Sequence, residues 1–191
     1  MVTLQDPLWR IYRSEGEHAL GWNQLRHWGP APDMRYDPHH LPTQDWPDTG
    51  VMYTALEPDT AFAEVYQEDR VITLSAGAPR LASWKPSRPL QLLNLTKNWP
   101  ILNGAASAIM MDDKTHTQEW ARVINDQIGN DIDGLFHSSS MLNTPMVTLF
   151  SRTERDPAFP KDPSFNRLLS DRAARRYISS AQTTTGYGVL S

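Results

Sequence analysis

Cysteine is missing from this 191-residue chain. Its absence excludes disulfides, cysteine-ligated zinc, iron–sulfur clusters and thiol nucleophiles together, and fits a reducing compartment. Positive charge is scarce too. Eighteen Lys and Arg against 22 Asp and Glu leave a formal net charge of −4, which argues against binding nucleic acid by phosphate neutralisation. No apolar run approaches the roughly 18 residues of a membrane span. The segment Met1-Val2-Thr3-Leu4-Gln5-Asp6 lacks the basic region and apolar core of a secretory signal. The expectation is a cytoplasmic protein with no direct nucleic-acid or membrane partner. Glycine-rich phosphate loops are missing as well, which excludes a Rossmann domain and a P-loop. There is no His-Glu-x-x-His, and the one histidine pair, His39-His40, is adjacent, so no metal site is expected. Gly-x-Ser-x-Gly is absent, against a serine hydrolase.

What is abundant is proline, at 15, and tryptophan, at 7. The prolines cluster between Gly29 and Pro47 and again between Arg155 and Pro163, and mark loops. Alternation of large and polar residues predicts a strand at Leu8–Arg13, and Gly50–Ala55, Arg70–Ser75, Leu90–Leu95, Gly134–His137 and Met146–Ser151 also read as strands. Gly21 to Trp28 can hold a helical turn or two. A helix follows Pro58, with Asp59 or Thr60 able to cap it and Ala61, Phe62 and Val65 as its apolar stripe. Asn98 to Met110 and Thr115 to Ile128 read as helices, the second with Trp120, Val123, Ile124 and Ile128 at helical spacing and Gly129 as its stop. Phe165 to Tyr177 reads as a basic helix and the stretch from Ala181 to Gly188 as loose. Strands and helices intersperse without strict alternation. That predicts an α+β fold with mixed or antiparallel sheets and flanking helices. The chain reads as one domain, with a core over about 8–151 and a partly helical C-terminal extension over 152–191.

Glu64 stands beside the apolar stripe of its helix, where a carboxylate loses solvation unless it has a partner or a task. Arg10 and Arg35 lie upstream and Ser138 downstream. Arginine, glutamate and serine in that order suggest a site that grips a phosphate-bearing ligand and acts on its sugar. Each residue also has a structural reading. Arg10 and Arg35 can be surface or ion-pair charges, Tyr53 can be packing, Glu64 can pair with Arg70, and Ser138 can satisfy a strand end.

The segments Leu8-Trp9-Arg10-Ile11, Met34-Arg35-Tyr36, Gly50 to Ala55 with Ala61 and Glu64, Pro89 to Thr96, Asp133 to Ser138, and Leu149-Phe150 resemble, in order, the RES domain family. The resemblance covers roughly residues 8–151. It implies a fold like that of ADP-ribosyltransferase toxins. It also implies a bacterial toxin that consumes NAD+ by hydrolysis, phosphorolysis or ADP-ribosyl transfer to a protein target. A cognate antitoxin, commonly carrying a DNA-binding domain, would cover the site and form a hetero-oligomer with it.

On that reading Glu64 stabilises the oxocarbenium-like ribose formed when nicotinamide leaves. Arg35 and Arg10 hold the pyrophosphate. Tyr53 or Tyr36 offers an aromatic face to the nicotinamide cation, and Ser138 positions the ribose or Glu64. Two departures stand out. Asp37 to Thr49 is extra loop, and no arginine follows the family serine at Ser139-Ser140-Met141-Leu142-Asn143. The alternatives are a non-catalytic nucleotide- or partner-binding module on the same fold, and an interaction domain whose C-terminal arginines Arg167, Arg172, Arg175 and Arg176 meet an acidic partner.

Overall fold

A computed structural model describes residues 1–105 and 113–191. Its centre is a sheet of eight strands: β1 (Val2–Leu4), β2 (Leu8–Arg13), β5 (Val51–Ala55), β7 (Pro79–Trp84), β8 (Leu90–Asn94), β9 (Gly134–Ser138), β10 (Pro145–Phe150) and β11 (Phe165–Leu168). Their order across the sheet is β1-β8-β9-β10-β5-β2-β7-β11. The β8–β9 pair is parallel and the other pairs are antiparallel. Two short pairs lie outside it: β3 (Trp28–Gly29) with β4 (Gln44–Asp45), and β6 (Val71–Thr73) with β12 (Gly188–Leu190). The helices are α1 (Pro58–Val65), α2 (Trp99–Leu102), α3 (Lys114–Ile128), α4 (Arg152–Arg155) and α5 (Arg175–Thr185), the last preceded by a 3₁₀ turn at Arg172–Ala174. This is the expected α+β class, with one large mixed sheet and flanking helices. Among the described residues no helix is long and apolar enough to cross a membrane.

Side-chain alternation splits the sheet into two apolar faces. Leu8, Met52, Trp84, Leu92, Val147 and Leu149 pack on one face with Leu25 and Ala158. The other face carries the main helices. Over β8 and β9 it packs Leu93, Leu135 and Phe150 against Ala121 and Ile124 of α3. Over β5 and β10 it packs Ala55 and Met146 against Ala61 of α1. Over β7 it packs Leu81 with Phe62 of α1 and Ile178 and Ala181 of α5. Helices α3, α1 and α5 therefore lie side by side on one face, and the middle strands β10 and β5 run beneath the space between α3 and α1.

Several local expectations change. Glu57, not Asp59 or Thr60, precedes the first turn of α1, with Pro58 entering it and no side-chain cap bond. Its buried residues are Thr60, Ala61, Phe62 and Ala63, while Val65 is exposed. In α3 the buried residues are Thr117, Gln118, Ala121 and Ile124, and Val123 is exposed. Gly21 to Trp28 holds turns and a bridge from Arg26 to Val51 rather than helix. The helix expected from Asn98 is the four-residue α2, and residues 106–110 of that expectation lie outside the described residues. Phe165–Leu168 is the edge strand β11, so helix begins only at Arg175. The stretch from Ala181 completes α5 and then forms β12, which pairs with β6.

Candidate active site

Register places the floor of the space between α3 and α1. Tyr53 of β5 stands opposite Thr148 of β10, which stands opposite Leu135 of β9. One row along are Ala55, Met146 and His137. Because Ala55 and Met146 pack under α1, strand alternation turns Tyr53, Thr148 and His137 to that same face.

Glu64, on α1, is half-buried at the edge of this space. Its Oε1 accepts a hydrogen bond from the Ser139 hydroxyl at 2.6 Å and lies 3.4 Å from the Met141 N–H. Ser139 is 4% exposed, and its oxygen also accepts from the N–H groups of Met141 and Leu142, both at 3.0 Å. A serine hydroxyl has one proton. With two amides on its lone pairs, that proton points at Glu64, which therefore receives it as an acceptor oxygen. The turn is closed by Ser139 N–H to the Thr144 carbonyl at 2.8 Å and tied to α1 by the Thr60–Thr144 hydroxyl pair at 2.7 Å. Among the described residues Glu64 Oε2 has no hydrogen-bond partner. The serine that holds Glu64 is thus Ser139, not the expected Ser138, which sits one residue earlier at the end of β9. In a run of three serines only the turn geometry separates them.

His137 is 5% exposed. Its Nδ1–H donates to the Ser138 carbonyl at 3.2 Å, and its Nε2 accepts from the Thr148 hydroxyl at 2.9 Å. Burial, with the Arg35 charge nearby, lowers its pKa to about 4 against the pull of its backbone bond. It is a neutral ring at physiological pH. The Tyr36 ring lies against it, 4.7 Å between centroids. Arg35 is half-buried within electrostatic reach of both His137 and Asp113. Glu64, Arg35, Tyr36 and Tyr53 are thus gathered on one face of the sheet.

The two tyrosines differ. Tyr36 is 1% exposed and packed into the core under α3, so it has no open ring face for a ligand. Tyr53 is only half-buried as a residue, although its hydroxyl is fully buried and makes no hydrogen bond among the described residues. Burial, reinforced by Asp37 and opposed by Arg26, raises that hydroxyl's pKa and keeps it protonated. Whatever Tyr53 exposes, it is not the hydroxyl.

Arg10 does not join the site. It alternates with Trp9 and Ile11, which pack under α1, so its own side chain goes to the opposite face. There one guanidinium nitrogen donates to the carbonyls of Gly21, Trp22 and Gln24 at 3.4, 3.2 and 3.0 Å. Burial lowers its pKa to about 10. It is a strut for the 21–24 turn, not a phosphate ligand.

Sequence reasoning missed Ser139, His137, Thr148 and the buried cluster Arg26, Asp37 and His39. The histidine-bearing proline-rich loop was the visible trace of Asp37 and His39, and the serine run after Ser138 that of Ser139. Two surface cavities, of about 620 and 260 Å³, open beside α5 and include none of these residues. Among the described residues no three His, Asp or Glu side chains are grouped to hold a metal ion.

Comparison with known proteins bears on the family and the fold. The RES domain family model matches residues 7–168. A chain in the crystal structure of the M. tuberculosis MbcT–MbcA toxin–antitoxin complex is similar in fold, with TM-score 0.58 and 15% identity, over 93% of this chain and 90% of that one. No curated protein matches in sequence.

Proposed function

The chain belongs to the RES domain family, and from that premise we propose that it is an NAD+-consuming toxin that cleaves the nicotinamide–ribose bond. The observation that carries the reading is Glu64: a carboxylate with one oxygen held by Ser139 and the other without a partner among the described residues, on the same face as Tyr53 and Arg35.

The chemistry follows from those groups. The bond from ribose C1′ to the nicotinamide nitrogen breaks, and its electron pair leaves with the nicotinamide, which becomes neutral. Positive charge is left on the ribose. Glu64 Oε2 stabilises that charge or binds the ribose hydroxyls, as carboxylates do in glycoside cleavage. Ser139 keeps the carboxylate oriented. The Tyr53 ring suits the flat nicotinamide cation, and Arg35 suits the pyrophosphate through paired N–H groups. Neutral His137, fixed by Thr148, adds no second positive charge beside Arg35. The acceptor is water, phosphate or a protein side chain, which adds at C1′ and loses a proton. A cognate antitoxin that covers the site, in a hetero-oligomer, fits the toxin–antitoxin complex in which the similar chain occurs. A DNA-binding domain on that antitoxin and a cytoplasmic setting belong to the same proposal.

The test is incubation of the purified protein with NAD+, with and without phosphate and cell lysate, followed by mass analysis. Free ADP-ribose, ADP-ribose-1-phosphate or a labelled protein names the acceptor. Glu64→Ala is expected to abolish turnover and growth arrest with the fold intact. NAD+ that binds but is not consumed under any of these conditions would make the protein a binding module instead.

A further inference from the structure

The loop from Asp37 to Thr49 is anchored behind Tyr53 by a histidine with no room for a lone pair. His39 and Asp37 are both 0% exposed. His39 Nδ1 faces Asp37 Oδ1 at 2.5 Å, and its Nε2 faces the Thr49 carbonyl at 2.9 Å. A carbonyl can only accept. Asp37 is likewise an acceptor throughout: Oδ1 also takes the His39 backbone N–H at 3.1 Å, and Oδ2 takes Arg26 at 2.7 Å and the Ala31 N–H at 2.8 Å. Burial alone would raise the Asp37 carboxyl, but these bonds and the Arg26 charge bring it down to about 2. A neutral imidazole has one N–H and one lone pair, so it would set that lone pair against one of the two acceptors. An imidazolium donates to both. The ring is also confined, since a Cβ on Gly29 would lie within 2.4 Å of its Nδ1.

We propose that His39 is held as an imidazolium, and that Arg26, Asp37 and His39 form a positioning unit with one positive charge in excess behind Tyr53, which draws the anionic part of the ligand to the site. The placement follows from alternation. Leu25 packs into the opposite face, so Arg26, bridged to Val51, turns toward Tyr53, and both Arg26 and Asp37 act on the Tyr53 hydroxyl. Among the described residues Asp37 and Arg26 are the charged groups around the His39 ring, and the Tyr53 hydroxyl stays neutral through burial. Arg26 is 19% exposed, the only member of the three open to solvent. On this view the extra loop supplies the cation that Arg10, on the wrong face, does not. The anionic ligand rests on the NAD+ reading above; the charge on His39 does not.

Nitrogen NMR of the histidine rings near neutral pH decides the charge. His39 is expected with both ring nitrogens protonated, in contrast to His137 with one. A singly protonated His39 overturns the assignment. His39→Gln keeps a donor and loses the charge. It is expected to raise KM for NAD+ roughly tenfold, the scale of one partly screened charge, with the loss in KM rather than kcat. Arg26→Gln, at the more open position, is expected to do the same, and serves if the His39 variant does not fold. A folded variant with unchanged KM overturns the positioning role. Should the parent protein fail to bind NAD+, the activity reading falls, and the ring nitrogens still decide the state of His39.

Discussion

A hydroxyl has one proton to give, and the two amides on Ser139 leave it a single direction. Removing it in Ser139→Ala leaves Glu64 Oε1, among the described residues, with the Met141 N–H at 3.4 Å alone. A hydrogen bond to a charged group contributes about 1.5–3 kcal/mol, so kcat for NAD+ loss is expected to fall about 10- to 100-fold. Ser138→Ala is expected to fall much less. The reverse ranking would return the role to Ser138. Tyr53 permits a sharper separation. Its hydroxyl makes no hydrogen bond among the described residues, so Tyr53→Phe removes no partner and keeps the ring. Activity near that of the parent is expected, with thermal stability unchanged or slightly raised. Tyr53→Ala removes the ring, and KM is expected to rise. Steady-state kinetics of both variants check this, and an inactive Phe variant would show that the hydroxyl does the chemistry.

At the scale of elements, helix α1 carries Glu64 but is only eight residues long, too short to be stable by itself. Its hold comes from α5 and the strand after it. Asp59 Oδ2 accepts from Ser180 at 2.8 Å and Thr184 at 2.7 Å, and the Tyr187 hydroxyl donates to the Ala63 carbonyl at 3.3 Å. Tyr187 is buried with Phe62 and Ile178. The C-terminal stretch therefore braces the helix that carries Glu64. Tyr187→Ala is expected to cost about 3 kcal/mol, as large aromatic truncations do, and to lower kcat because α1 loses its backing. Denaturant unfolding with a parallel turnover assay checks both. A variant that loses stability but keeps full kcat would show that α1 is set by the sheet alone.

For the whole molecule, acid is the informative perturbation. His137 has its pKa lowered from 6.5 to about 4 in the folded chain. The unfolded chain therefore binds its proton first as pH falls, so the contribution is complete above about 6.5 and lost as pH drops toward 4. The shift corresponds to about 3 kcal/mol at most. Asp37, lowered from 3.8 to about 2, behaves alike in a lower window: its contribution is present above about 3.8 and lost as pH falls toward 2. Urea midpoints measured across this range are expected to fall on acidification in the His137 window. His137→Asn is expected to flatten that fall. A midpoint flat between pH 6.5 and 4 in the parent would mean that His137 is not buried neutral. A buried ion pair ties the far side of the sheet together. Asp133 meets Arg88 through both oxygens at 2.7 and 2.8 Å and Arg152 at 2.9 Å, joining β8 and β9 to the start of α4.

Local pattern carried the expectations that came through. Strand β2 alternates and β5, β8, β9 and β10 are short, largely buried apolar runs, which is enough to read them one by one, and α3 shows its helical spacing and its glycine stop. Tyr53 and Glu64 stand in such elements, whereas Arg35 lies in a loop turn and was singled out by the family resemblance. Other features left no periodic trace. β12 is exposed at every position, β3 and β4 have two residues each, and β11 sits in a charged stretch that imitates a helix. Which serine meets Glu64, which face Arg10 takes and what holds His39 are decided by contacts across 75 residues of chain for Ser139 and by the register of neighbouring strands for Arg10. Composition and periodicity determine which elements form and which chemistry the chain can carry. Only the packing of α1, β5 and the 37–49 loop onto one sheet decides which of those groups meet, because hydrogen bonds and charges act over a few ångströms and the sequence does not record distances between segments far apart in it.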